Sequence, residues 1–104
     1  MKSITSVQLK ELITQGKVPV LIDVREAWEY NICHIDGSQN IPLQEVDSSL
    51  AKLDKDAETV IICHHGMRSL QVANYLCSLG YKNIMNLDEG IDMWSRTVAP
   101  EMPH

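Results

Sequence analysis

The sequence of 104 residues lacks an apolar segment long enough to serve as a membrane span or a secretory signal. Its longest apolar run near the N-terminus covers only residues 18–22. It also lacks any block of lysine or arginine, and its formal net charge is −5. The first absence argues against a membrane protein, and the second argues against nucleic acid or an anionic membrane as the main partner.

The cysteine content excludes a disulfide framework. The three cysteines are an odd number, and no two of them form a Cys-x-x-Cys pair. A reducing cytoplasm is therefore the expected compartment, and it would keep Cys63 free. With 44% hydrophobic and 22% charged residues, the composition is that of a globular protein. We expect residues 1–104 to form one domain, because a chain of this length has no room for a second core.

Strand patterns and helix patterns alternate along the chain. The strand candidates are residues 2–4, 18–23, 38–41, 59–62 and 83–87. The helix candidates are residues 6–15, 27–30, 43–53, 69–79 and 91–97. This alternation predicts an α/β fold in which helices cover both faces of a mostly parallel sheet.

Cys63 occupies the most informative position in this pattern. It directly follows the β-branched strand candidate 59–62 and precedes a helix by a short loop. Ligands of parallel sheets bind at the carboxyl ends of the strands. The start of a helix supplies unpaired N–H groups and a partial positive charge, which favour a thiolate and an anion bound beside it. The position therefore predicts a reactive cysteine in a cradle for an anion.

Three separated motifs resemble those of rhodanese-like domains, in the same order and from about residue 4 to residue 94. They are Leu21-Ile22-Asp23-Val24-Arg25-Glu26 with Glu29-Tyr30 and His34-Ile35-Asp36-Gly37-Ser38, then Cys63-His64-His65-Gly66-Met67-Arg68-Ser69, then Asn86-Leu87 with Gly90-Ile91 and Trp94. The resemblance implies a parallel five-stranded sheet flanked by helices on both faces. It also implies a sulfurtransferase without a cofactor, which carries sulfane sulfur as a persulfide on cysteine.

The same resemblance implies roles for individual residues. Cys63 is the expected nucleophile, and the residues that follow it are expected to bind the substrate: His64, His65, Gly66, Met67 and Arg68. Asp23 and Arg25 belong to the part of the signature that supports this loop. Two positions depart from the family pattern, since Cys33 and Glu89 stand where glycine is usual. Cys33 places a second thiol near the site, and its participation stays open.

Two rival chemistries are less well supported by the sequence. Four residues separate Cys63 from Arg68, whereas cysteine phosphatases have one more, so the shorter loop favours sulfur over phosphate. His64 and His65 suggest a metal site together with Cys63 and His34. Adjacent side chains in a tight loop rarely converge on one ion, and no standard zinc spacing is present, so no metal is expected.

The leading hypothesis is a thiosulfate sulfurtransferase. Its donor would be thiosulfate or a related small anion, and its acceptor cyanide, a thiol or a sulfur-carrier protein. The alternative is a sulfur-relay or protein-interaction module that has little activity on free thiosulfate. A binding module without turnover is a third reading, against which the intact Cys63 loop argues. The sequence does not identify the physiological donor, the acceptor or the oligomeric state.

Overall fold

The computed structural model describes residues 1–103, and its centre is a single five-stranded sheet. The strands are β1 (Lys2–Ile4), β2 (Val20–Asp23), β3 (Gln39–Asn40), β4 (Thr59–Ile62) and β5 (Ile84–Leu87). They lie in the order β1-β5-β4-β2-β3, and every pairing is parallel. The predicted parallel five-stranded sheet is confirmed.

Helices cover both faces of this sheet, as predicted. The α-helices are α1 (Ser6–Thr14), α2 (Ala27–Ile32), α3 (Met67–Ser78) and α4 (Gly90–Thr97). One apolar cluster contains Val72 and Leu76 of α3, and the other contains Leu9 of α1 and Trp94 of α4. Within residues 1–103, no helix has the length and apolar character needed to cross a membrane.

The central strand β4 sends alternate side chains into the two clusters, because successive residues of a strand point to opposite faces. Val60 and Ile62 belong to the cluster with α1 and α4. Ile61 and Cys63 belong to the cluster with α3. The pleat of β4 therefore directs Cys63 towards the helix that follows it in sequence.

The predicted helix over residues 43–53 was wrong. The chain forms two 3₁₀ segments there, Leu43–Glu45 and Asp47–Lys52. Ser48 donates a hydrogen bond from Oγ to the carbonyl oxygen of Glu45 (3.0 Å), and such local bonds compete with a regular α-helix. The apolar side chains that predicted a helix still pack against the core, because a spacing of three or four residues suits both helix types.

The turn from β5 into α4 lies directly against the chain that leaves β4. The amides of Ile91 and Asp92 donate hydrogen bonds to the carbonyl oxygens of Cys63 and His64, both at 2.9 Å. Gly90 makes this approach possible, because a Cβ atom there would lie 2.2 Å from the carbonyl oxygen of Cys63. The preceding Glu89 is left-handed (φ +58°) although it is not glycine, so the departure from the family pattern keeps the turn.

We predict that Gly90→Ala lowers the free energy of unfolding by about 1–3 kcal/mol more than Gly80→Ala does, because the new methyl group must displace backbone. Gly80 is the matched control, since its φ is also positive (+93°) but nothing lies within 4 Å of an added Cβ. Urea unfolding of both variants measures the difference. Equal losses would mean that backbone conformation alone, and not the close approach to Cys63, demands glycine at position 90.

Candidate active site

The sulfur of Cys63 is held by backbone amides at the junction of β4 and α3. The residue is 1% exposed. Its Sγ accepts hydrogen bonds from the amide of Gly66 (3.1 Å) and from the amide of Ser69 (3.3 Å). Two N–H groups aimed at one sulfur complement the negative charge of a thiolate or a persulfide. The structure thus places the predicted nucleophile in a cradle of backbone donors.

Gly66 shapes this cradle because it reverses the chain between β4 and α3. It is the N-cap of α3 and has a left-handed backbone with φ +92°. A Cβ atom there would lie 3.0 Å from the amide nitrogen of Glu89. The helix begins at Met67, two residues earlier than predicted, so Ser69 falls in its first turn. Amides in the first turn have no acceptor within the helix, which leaves that of Ser69 available for the sulfur.

A buried polar network lies behind the sulfur, and the sequence did not predict it. The Oγ atom of Ser69 lies 3.3 Å from Sγ of Cys63 and donates a hydrogen bond to Oδ1 of Asn86 in β5. Nδ2 of Asn86 donates to the carbonyl oxygen of Gly66 (3.2 Å). Both side chains are buried. The one available signal was a polar residue, Asn86, inside an otherwise apolar strand.

The predicted loop residues differ in their exposure. His64 is half-buried, whereas His65 is exposed. Met67 opens α3 with its side chain 74% exposed. Burial lowers the pKa of His64, and repulsion from His65 lowers it further, so the neutral imidazole is favoured.

Arg68 forms a bidentate ion pair with Glu29 of α2, a partner that the sequence did not predict. Nη1 and Nη2 of Arg68 lie 2.8 and 2.9 Å from the two carboxylate oxygens. The hydrogen bonds from Arg68 hold the pKa of Glu29 below its ordinary value, and those to Glu29 raise the pKa of Arg68. This pair ties the first turn of α3 to α2.

Asp23 and Arg25 form a second ion pair, which is buried. Nη2 of Arg25 lies 2.8 Å from Oδ2 of Asp23 and also donates to the carbonyl oxygen of Cys33 at 2.7 Å. Burial works to lower the pKa of Arg25, but the hydrogen bond and charge of Asp23 raise it overall. Because Cys33 is the C-cap of α2, the pair fixes the helix that carries Glu29. The Asp23–Arg25 pair therefore supports the loop indirectly, by positioning α2, whose Glu29 binds Arg68.

A cavity of about 250 Å³ lies between α2, the Cys63 loop and the C-terminal segment. Its walls are formed by Arg25, Trp28, Glu29, Ile32, Cys33, His64, Ile91 and Pro103. Trp28 and Ile32 lie one helical turn apart on α2, and they are 66% and 60% exposed. The cavity joins the loop to an apolar, solvent-accessible rim. Cys33 is part of its wall, and its sulfur lies 3.4 Å from the carbonyl oxygen of Pro103.

A comparison with protein families decides the classification. The model of the rhodanese-like domain matches residues 5–97. The chain belongs to the rhodanese-like domain family. The resemblance predicted from the three sequence motifs is therefore confirmed.

Two relatives illustrate where this domain occurs. The chain is 34% identical over 100 residues to the thiosulfate sulfurtransferase GlpE of Pseudomonas fluorescens, with 96% of this chain and 90% of GlpE covered. It is 35% identical over 102 residues to the probable adenylyltransferase/sulfurtransferase MoeZ of Mycobacterium tuberculosis. That match covers 96% of this chain but 26% of MoeZ, so the chain spans about a quarter of the length of this relative.

Solved structures share the fold over most of the chain. SSP1007 from Staphylococcus saprophyticus aligns with a TM-score of 0.87 and 32% identity, and the whole of both chains is covered. The human single-domain sulfurtransferase TSTD1 aligns with a TM-score of 0.86 and 27% identity over 93% of this chain and 97% of its own. The rhodanese-like fold is thus supported by sequence and by structure.

We predict that Arg68→Met raises the pKa of Glu29 towards its ordinary value of 4.5, because the largest cause of the depression is the hydrogen bonding from Arg68. Carbon-detected NMR titration of the side-chain carboxyl measures this. Since the folded-state pKa is depressed, the pair stabilises the wild type above the unfolded-state pKa, and this stabilisation is lost as pH falls through the folded-state value.

The stability change at neutral pH should stay below about 1 kcal/mol, because Arg68 is 38% exposed and solvent screens the pair. Lys82→Met is the matched control, since it breaks an exposed ion pair with Asp56 elsewhere and should leave the pKa of Glu29 unchanged. An unchanged Glu29 pKa in Arg68→Met would show that the ion pair does not persist in solution.

Proposed function

We propose that this rhodanese-like domain, comprising residues 1–104, is a sulfurtransferase. In this proposal it moves sulfane sulfur from thiosulfate or a related anionic donor to a thiophilic acceptor through a persulfide on Cys63. The observation that carries the proposal is the sulfur of Cys63, which accepts hydrogen bonds from the amides of Gly66 and Ser69 at the end of β4. The relatives named thiosulfate sulfurtransferase support the choice of donor.

The reaction is a double displacement. The thiolate of Cys63 attacks the outer sulfur of thiosulfate, the sulfur–sulfur bond of thiosulfate breaks, and sulfite leaves with the bonding electron pair. The enzyme then carries Cys–S–S⁻. An acceptor thiolate or cyanide attacks the terminal sulfur, and the Cys63 thiolate is released. Because the covalent intermediate itself carries the sulfur, neither half-reaction requires a cofactor.

We assign binding of the anionic donor to the loop of His64, His65, Gly66, Met67 and Arg68. The net charge of −5 makes the overall field unfavourable for an anion, so the attraction must come from local groups. Arg68 uses two of its nitrogens for Glu29. A guanidinium has five N–H donors, so it retains donors for a sulfonate while Glu29 fixes its position. Asp23 and Arg25 act as positioning residues through α2.

A second candidate function is a sulfur relay in which another protein supplies or accepts the sulfur. It is favoured by the apolar rim, which we define as Trp28, Ile32 and Met67. All three side chains are more than half exposed and flank the cavity or the loop beside Cys63. Exposed aromatic and methionine side chains are enriched at protein interfaces. This chain also matches a part of two longer relatives, MoeZ and Uba4, both of which are named adenylyltransferase and sulfurtransferase.

We also propose that the domain works in the cytoplasm. Its three cysteines, at positions 33, 63 and 77, are free thiols. A reducing compartment maintains that state and therefore suits a mechanism that depends on the thiolate of Cys63.

We predict that incubation with thiosulfate adds the mass of one sulfur atom to the wild-type protein and adds none to Cys63→Ser, because the backbone amides that would stabilise the persulfide donate to the sulfur of Cys63. Intact-mass spectrometry measures the change. Cys77→Ser is the matched control, since Cys77 is partly buried against the α3 cluster and should leave the mass gain intact. A mass gain in Cys63→Ser would rule out the proposed nucleophile, whereas a gain only from a persulfidated protein would favour the relay.

We predict that Trp28→Ala slows sulfur transfer to a protein thiol more than transfer to cyanide, with about a tenfold difference between the two effects. An exposed tryptophan contributes binding energy to a protein–protein contact, whereas a small acceptor makes little contact with it. The measurement compares kcat/KM for reduced thioredoxin and for cyanide. Val18→Ala is the control, because Val18 is also exposed (54%) but is not part of the apolar rim or the cavity wall. Equal losses with both acceptors would contradict a docking role for the rim.

A further inference from the structure

Three potential metal ligands meet at the junction of the Cys63 loop and α4. Two of them belong to the loop that we assign to donor binding, and the third, Asp92, has no part in the proposed sulfur transfer. One ligand atom each from His64, His65 and Asp92 lies within 4.8 Å of the other two. The two imidazole rings have centroids 4.0 Å apart and are tilted by 47°. Asp92 comes from a distant part of the sequence, which explains why the pattern of adjacent histidines alone did not predict a site.

The backbone holds these three residues together. The amide of Asp92 donates to the carbonyl oxygen of His64 at 2.9 Å, and the close approach at Gly90 fixes α4 against the loop. The positions of the α-carbons are therefore set by the fold rather than by the side chains. A metal ion would meet a site that is largely ordered before it binds, which lowers the entropic cost of binding.

The separations suit a small ion after a modest side-chain adjustment. Bond lengths of 2.0–2.2 Å to nitrogen and oxygen in a tetrahedral site place neighbouring ligand atoms about 3.4 Å apart. Because the three ligand atoms all lie within 4.8 Å of one another, the largest separation must shrink by at most about 1.4 Å. The exposed His65 can rotate, whereas His64 and Asp92 are half-buried and change less. Because His65 is exposed, water can reach the ion and complete its coordination.

Among the salt bridges that residues 1–103 form, one involves this cluster and competes weakly with a metal ion. Nε of Arg96 lies 3.2 Å from Oδ1 of Asp92, and Arg96 is 57% exposed. Ion pairs between residues four apart on a solvent-accessible helix face contribute little free energy. A divalent ion at Asp92 would outweigh the single charge of Arg96, and the long side chain of Arg96 can turn into solvent.

We propose that His64, His65 and Asp92 bind one Zn²⁺ or a similar divalent d-block ion. Two imidazoles and one carboxylate suit Zn²⁺, whereas Mg²⁺ and Ca²⁺ prefer sets of oxygen ligands. The site differs from the thiol site, because Sγ of Cys63 lies under the loop on the amides of Gly66 and Ser69. This proposal differs from the expectation from sequence, which was that no metal binds here.

The test is calorimetric titration of the reduced protein with ZnCl₂. The wild type should bind one Zn²⁺. Asp92→Asn and His65→Ala should each weaken the affinity at least about tenfold, because each removes one of three ligands. Asp36→Asn is the matched control, since it removes an equivalent charge from an exposed position outside the cluster and should leave the affinity unchanged.

Two further measurements test whether Zn²⁺ binds to the folded protein and whether a cysteine takes part in binding it. Added ZnCl₂ should raise the melting temperature of the wild type more than that of His65→Ala at the same concentration, because the variant binds more weakly. His65 is exposed, so its replacement should leave the fold intact. The visible spectrum of the Co²⁺ form should lack a sulfur-to-metal charge-transfer band. Absence of Zn²⁺ binding, equal affinity in wild type, Asp92→Asn and His65→Ala, or loss of binding in Cys63→Ser alone would each overturn the proposed site.

Discussion

The close approach of Gly90 to the carbonyl oxygens of Cys63 and His64 is the contact on which the rest of the site depends. It lets the first amides of α4 close hydrogen bonds onto the chain leaving β4. The carbonyl oxygens of Cys63 and His64 are therefore both hydrogen-bonded to α4. The chain then reverses at Gly66, which lies close to the backbone amide of Glu89. The two turns at the carboxyl ends of β4 and β5 therefore determine one another, and neither can change without displacing the loop that holds the sulfur.

The sulfur of Cys63 lies between an apolar cluster and a set of polar donors, and this arrangement defines its chemistry. In a purely apolar site, a negatively charged sulfur would be destabilised, because burial disfavours the charged form. Here the amides of Gly66 and Ser69 supply the compensating donors without moving. Asn86 satisfies both the Ser69 hydroxyl and the Gly66 carbonyl, and an unsatisfied buried group would cost about 1–3 kcal/mol. The network therefore stabilises the cradle whether or not the sulfur carries charge.

Local patterns in the sequence predicted the sheet and the place of Cys63, because buried β-branched strands and a cysteine at a strand end depend on neighbouring residues. The segment 43–53 shows the limit of such patterns, since the same apolar spacing fits an α-helix and two 3₁₀ segments. The hydrogen-bond partners of Arg68 and Ser69 could not be predicted from the sequence, for a different reason. Glu29 lies 39 residues from Arg68 and Asn86 lies 17 from Ser69, so only the folded topology brings them together.

The backbone carbonyls of Cys63 and His64 and the side chain of Cys63 make contact with different helices, which separates the proposed metal site from the sulfur. The carbonyl oxygens of Cys63 and His64 accept hydrogen bonds from the amides of α4, and these bonds bring Asp92 beside the histidine side chains. The Cys63 side chain follows the pleat of β4 towards α3, where the amides of the next turn receive it. A cation on the histidine side would thus be bound by side chains, whereas the anionic sulfur is bound by backbone. Because the sulfur is held by the amides of Gly66 and Ser69 and the proposed metal site is formed by side chains, a change at His65 or Asp92 can alter metal affinity while the cradle around Cys63 keeps its donors.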